Sequence, residues 1–170
     1  MKPHYTKGVI MIVSNPVDVL VYQCTKWMGL PNGMVFGTGC ILDSSRFTRL
    51  IADYTRLNTE VVKATIVGEH GDAQIPIWSR VSIAGVPIQE YCENVGLRWG
   101  ENIRKDISDK VREMGATIIK GKGRTHYGNR NLCLLPCRSG VKSATDYCPS
   151  LYDVPGEYGI EDVCLSVPRL

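Results

Sequence analysis

A chain of 170 residues, 44% hydrophobic and 22% charged, can bury one sizeable core, so one globular domain is the default. Its net charge of +3, with no long run of Lys or Arg, gives no footprint for a nucleic-acid backbone. The longest apolar stretch, Val9 to Val13, is far short of a membrane span, and Met1-Lys2-Pro3-His4-Tyr5 lacks the apolar core of a secretory signal, so the cytoplasm is the expected compartment.

Gly8-Val9-Ile10-Met11-Ile12-Val13 is an apolar, β-branched run that predicts a strand buried on both faces of a parallel sheet. Ser14-Asn15-Pro16 then supplies a capping side chain and a Pro at a first helical position, and Val17, Leu20, Val21, Cys24 and Met28 recur on one helical face before Gly29. The turn between them lies at the strand's carboxyl end, where open α/β sheets place ligands. A second helix is predicted from about Leu42 to Leu57, with Leu50, Ile51, Tyr54 and Leu57 on its apolar face. Val61 to Val67 reads as one strand ending at Gly68-Glu69-His70-Gly71-Asp72, whose glycines let the imidazole project from a tight turn. Val81-Ser82-Ile83 and Val86-Pro87-Ile88 flank Ala84-Gly85 as a hairpin, and Ile103, Ile107, Lys110, Val111 and Met114 mark an amphipathic helix stopped by Gly115. The fold class expected is α/β, with an α+β portion after the first strand.

Seven cysteines, at 24, 40, 92, 133, 137, 148 and 164, form no C-x-x-C pair and read mostly as buried small hydrophobes. Cys133, Cys137 and Cys148 with His126 lack the paired spacing of structural zinc, so no metal is expected.

Hydride transfer between a nicotinamide and a 2-hydroxy acid needs three things: a group that exchanges the hydroxyl proton, a cation for the substrate carboxylate, and a polar group near the reacting carbon. His70 suits the first role, and Asp43 can fix its tautomer and stabilise its imidazolium. Arg46 suits the second, because a planar guanidinium grips a carboxylate through two parallel bonds. On a helix Asp43 and Arg46 share a face. Asn15 can donate to a carbonyl and accept from a ribose or nicotinamide group. Taken singly, Asn15-Pro16 is a helix cap, Asp43 with Arg46 a solvated ion pair, and His70 a loop residue. Their joint occurrence reverses those readings.

In these residues the sequence resembles the lactate and malate dehydrogenase family. Val13-Ser14-Asn15-Pro16-Val17-Asp18, Leu42-Asp43-Ser44-Ser45-Arg46-Phe47, and Gly68-Glu69-His70-Gly71-Asp72 with Ile75-Pro76-Ile77-Trp78-Ser79 are similar to three family signatures in family order. The resemblance implies that His70 is the proton donor and acceptor, Asp43 its orienting partner and Arg46 the carboxylate clamp. It implies substrate contacts from Asn15, Asp18 and Thr125, the last in Lys122-Gly123-Arg124-Thr125, and cofactor contacts from Val13, Ser14 and Asn15. It further implies NAD as cofactor, a tetramer of identical subunits, and a division into residues 1–20, the last part of a Rossmann-type nucleotide-binding domain, and 21–170, an incomplete family C-terminal domain. Glu69 before His70 is more like the lactate branch than the malate branch. Thr48 and Lys63 stand where sugar-bisphosphate-activated members carry Arg and His, so that regulation is not expected.

Three departures accompany the resemblance. It begins near the family's mid-chain, so that no Gly-x-Gly-x-x-Gly occurs in the 170 residues, and it stops where the family continues. Residues 129–155 do not resemble the family, although Gly156-Glu157-Tyr158-Gly159-Ile160 resumes it. Asn129 to Cys137 can be encoded AAT CGC AAC CTG TGT CTG CTA CCT TGC. Read one base later, that string gives Ile-Ala-Thr-Cys-Val-Cys-Tyr-Leu, the apolar helix the family has after Gly128, so the stretch reads as a compensated frameshift. Two functional classes follow. One is an NAD-dependent lactate dehydrogenase, with malate or another 2-hydroxy acid as alternative substrate, and the other is a non-catalytic fragment without the cofactor-binding half.

Overall fold

The computed structural model describes residues 4–31, 33–123, 150–154 and 156–167. In chain order the elements are β1 (Ile10–Ile12), α1 (Val17–Met28), β2 (Val35–Gly37), α2 (Ile41–Thr55), β3 (Val62–Lys63), β4 (Ile66–Val67), β5 (Ile75–Pro76), β6 (Ser82–Ile83), β7 (Val86–Pro87), α3 (Ile88–Asn94), α4 (Glu101–Lys122), β8 (Ser150–Val154) and β9 (Val163–Val167). The expected α/β class holds.

A four-stranded sheet of order β1-β2-β8-β9 carries the first layer, with β1 and β2 parallel and the remaining pairs antiparallel. β1 is an edge strand of intermediate exposure, and the burial expected for it belongs instead to its neighbour β2, which is flanked on both sides. Helix α1 crosses this sheet through Val17 and Val21, both buried. Gly37 is what allows the close crossing: a Cβ there would lie 2.8 Å from Val21 Cγ2 and 2.9 Å from Val17 Cγ2. The helix ends as expected, with Gly29 left-handed and its N–H donating to the Thr25 carbonyl at 3.0 Å. Its start differs. Pro16 takes the N-cap position in extended backbone, no side chain caps it, and Ser14 and Asn15 stay exposed instead of being spent on the helix.

The second core gathers Phe47, Ile51 and Ala52 of α2, Val62, Ile66, Val81 and Ile83 from the short strands, and Ile107 and Val111 of α4. Phe47 meets Trp78 edge-on at 4.6 Å, and Trp78 meets Trp99 at 5.7 Å, so two of the three tryptophans pack here. Cys40 and Cys92 are fully buried in the same core, and Cys164 is buried in the first, as small hydrophobes; Cys133, Cys137 and Cys148 lie outside the described residues.

Four local expectations are corrected. The single strand over 61–67 is two, β3 pairing with β6 and β4 with β5, because the chain changes sheets between Lys63 and Ile66. The hairpin at Ala84-Gly85 forms, with both residues at positive φ, but Ile88 opens the two-turn helix α3, too short to show a period. Gly115 does not stop α4, which runs on to a left-handed Gly123. One interior Gly costs a helix only about 1 kcal/mol, and here the bare backbone faces Arg46 Nη1, 3.7 Å from where a Cβ would sit. Finally, residues 150–154, in the stretch that does not resemble the family and for which no element is expected, form β8, in the middle of the first sheet. Its fully buried side chains, Leu151 and Val154, stand three apart, so no alternation announced it. Residues 129–149, and with them most of the stretch read as a frameshift over 129–155, lie outside the described residues.

Candidate active site

Three chain segments converge where the first sheet meets the second core. The first turn of α1 carries Asp18, the first two turns of α2 carry Asp43 and Arg46, and the turn after β4 carries His70. The His70 ring is oriented by a short bond, Nδ1 to Asp43 Oδ2 at 2.6 Å. The other carboxylate oxygen, Oδ1, accepts from Arg46 Nη1 at 3.1 Å. Side-chain exposures of 4% for Asp43, 12% for Arg46 and 22% for His70 remove the solvated-ion-pair reading, since charges taken from water persist only with good partners. The His70 backbone is held too, its N–H donating to the Asp18 carboxylate at 3.3 and 3.4 Å.

This environment settles how the ring titrates. Its bond to Asp43 raises the His70 pKa above 6.5, against the opposing pull of burial, so the imidazolium is favoured. Burial raises the Asp18 carboxyl above its ordinary value, although the bond from the His70 N–H works the other way. Burial likewise pushes the Cys40 thiol up to about 12, which leaves it a neutral S–H donor, 3.3 Å from the Glu69 carbonyl, and not a nucleophile. With Nδ1 engaged by Asp43, Nε2 is the nitrogen left to exchange a proton with a substrate.

A stability consequence follows. Because the folded-state pKa of His70 lies above its unfolded value, the pair's contribution is fully present below about pH 6.5 and is lost as pH rises through the folded midpoint. Urea melts from pH 5.5 to 9 should show this loss, and His70→Asn should remove that part of the profile. An unchanged profile in the variant would assign the dependence to other groups.

Of the residues named from sequence, Asp18, Asp43, Arg46 and His70 are brought together. Asn15, with Val13 and Ser14, sits at the carboxyl end of β1 in an exposed turn, three residues before Asp18. Thr125 lies outside the described residues. Sequence reasoning missed the supports. Ser44 Oγ donates to the Ile66 carbonyl at 3.3 Å and accepts from the Ile66 N–H at 2.9 Å, tying α2 to β4. Ser166 Oγ accepts from the Cys40 N–H at 3.0 Å. No local signal tells which backbone group either hydroxyl meets, because both partners are remote in the chain.

Comparison with known proteins identifies the family. Residues 40–170 match the model of the lactate/malate dehydrogenase, alpha/beta C-terminal domain. The chain is 37% identical over 169 residues to the L-lactate dehydrogenase of Moorella thermoacetica, covering 95% of this chain and 53% of that protein. Its fold is similar to a solved L-lactate dehydrogenase from Clostridium thermocellum, with a TM-score of 0.80 and 38% identity over 99% of this chain and 55% of that one. It is similar also to the malate dehydrogenase from Aeropyrum pernix, with a TM-score of 0.87 and 26% identity over 99% of this chain and 53% of that one. The chain thus spans about half the length of the relatives it matches. A family match across 131 of the 170 residues, counted from 40 to 170, includes Asp43, Arg46 and His70, and the chain belongs to the lactate/malate dehydrogenase family.

Proposed function

We propose that this chain is the substrate-side part of an NAD-dependent L-lactate dehydrogenase, which interconverts (S)-lactate and pyruvate. The observation that carries the proposal is the buried Arg46–Asp43–His70 constellation, one carboxylate serving a cation and a proton-exchanging ring at 3.1 and 2.6 Å. In this reading residues 1–20 close the nucleotide-binding half and 21–170 form the substrate half; α1 and the first sheet are shared across that division.

Arg46 holds the pyruvate carboxylate with its guanidinium N–H groups, and Asn15 donates to the keto oxygen from the turn after β1. Protonated His70 gives its Nε2 proton to that oxygen as the carbonyl carbon is reduced, and Asp43 stabilises the imidazolium before the transfer. In the reverse direction neutral His70 takes the hydroxyl proton of lactate. The nicotinamide end of NAD fits the backbone of Val13 and the exposed polar side chains of Ser14 and Asn15, at the carboxyl end of a strand in a parallel pair. When bound, NADH supplies the hydride. Glu69 before His70 resembles the lactate branch of the family more than the malate branch, which supports lactate as the substrate in this reading. A tetramer in the cytoplasm accords with the family reading; among the described residues no helix is long and apolar enough to cross a membrane.

The test is Arg46→Lys in the enzyme completed by a nucleotide-binding half and the family helix after Gly128, assayed by NADH absorbance with pyruvate and with oxaloacetate. A point ammonium keeps the charge but loses the paired bonds, so kcat/KM for pyruvate should fall about 10- to 100-fold, mainly through KM. An unchanged KM would remove Arg46 from the clamp, and a preference for oxaloacetate in the parent protein would move the assignment to malate.

A second reading rests on the sequence itself: the 170 residues hold no Gly-x-Gly-x-x-Gly to seat a pyrophosphate. In this reading the chain by itself is non-catalytic and at most associates with full-length subunits. NADH fluorescence titrated with the 170-residue chain separates the two, since saturable enhancement requires a nucleotide site within it.

A further inference from the structure

The Asp43–His70 bond joins residues 27 apart, on two elements that have no covalent reason to stay in register. Ser44 provides one fixed point, through both backbone groups of Ile66. Thr48 reinforces it, its hydroxyl donating to the Ala64 carbonyl at 3.4 Å, but both ties come after Asp43 in the helix, and neither holds the residues that lead into α2.

A second fixed point lies on β9. Ser166 is fully buried, and its backbone pairs with Gly68 in both directions, Ser166 N–H to the Gly68 carbonyl at 2.9 Å and Gly68 N–H to the Ser166 carbonyl at 2.8 Å. Its hydroxyl oxygen meanwhile accepts from the N–H of Cys40, the residue that precedes α2, at 3.0 Å. One residue therefore holds a point two residues before His70 and a point three residues before Asp43. Nothing else fits in that junction: a Cβ on Gly39 would stand 2.1 Å from the Ser166 oxygen and 2.9 Å from Leu151 Cβ. The Cys40 thiol adds a weaker tie to the Glu69 carbonyl, in the same gap.

We propose that Ser166 is a positioning residue for the Asp43–His70 pair, acting through the Cys40 N–H on one side and Gly68 on the other. The proposal rests on the reading of that pair as the proton-exchanging couple, and it extends the functional constellation to a strand that contributes no group to the chemistry. Removing the hydroxyl frees the start of α2 while leaving the β9 backbone bridge in place, so the carboxylate loosens from the ring without loss of the sheet.

The experiment follows the His70 imidazole by NMR through a pH titration of the 170-residue chain, in which the groups facing the ring are Asp43, Asp18, Arg46 and the neighbouring Glu69. The parent chain should titrate above 6.5. Ser166→Ala should move the midpoint down toward 6.5, and Val167→Ala, which truncates a buried neighbour on the same strand, should not. Asp43→Asn sets the floor. If Asp43→Asn leaves the midpoint in place, the proton-exchanging pair itself is wrong. If Asp43→Asn lowers it and Ser166→Ala does not, the pair stands and the role of Ser166 is overturned. Should Ser166→Ala fail to fold, Ser166→Cys keeps the volume with a poor acceptor and should give the same downward shift. An unshifted midpoint in Ser166→Cys, or failure of both variants to fold, makes Ser166 a structural residue and ends the proposal.

Discussion

Replacing His70 with Asn in the enzyme completed by a nucleotide-binding half and the family helix after Gly128 should lower kcat for pyruvate reduction roughly 100- to 10,000-fold, the range general acid–base catalysis contributes, with NADH binding left intact. The size of the effect comes from the geometry. Asn occupies a similar space and its amide N–H can still donate one bond to Asp43, so the buried carboxylate keeps a partner, yet no group remains to deliver a proton where Nε2 stood. The pH profile adds a second signature. Pyruvate reduction needs the imidazolium, so in the parent protein it should persist above pH 6.5 and decline as pH passes the raised midpoint of His70. In Asp43→Asn the decline should begin at lower pH. Retention of near-normal kcat by His70→Asn would overturn the assignment of the site.

Phe47→Ala should destabilise the fold by about 3–5 kcal/mol, a large share of the roughly 5–15 kcal/mol that holds a domain together. Phe47 is fully buried, one residue past Arg46, and its ring closes an aromatic chain through Trp78 and Trp99 to Tyr54. Its loss leaves a cavity at the place where α2 turns its other face to the active site, so the cost is both apolar burial and empty volume. Urea unfolding followed by tryptophan fluorescence reads this directly, and Phe47→Leu, which refills most of the volume, should recover more than half of the loss. A midpoint within error of the parent protein would mean that the cluster is not the core of the second layer.

Much of the site was legible before any tertiary information because its residues lie in short motifs with strong local causes. Asp43 and Arg46 stand one helical turn apart on a helix whose apolar face is periodic, and His70 is bracketed by glycines. The helix α1 and its Gly29 stop were equally plain, since capping chemistry is local. What sequence could not determine was anything set by partners remote in the chain. The break of 61–67 into two strands depends on β5 and β6, and the existence of β8 on the strands that flank it. The same holds for Ser44 and Ser166: a serine's role is decided by which backbone group reaches its hydroxyl, and here those groups lie 22 and 126 residues away. Local propensity chose the residue types able to do the chemistry, and long-range packing chose the distance at which Asp43 meets His70.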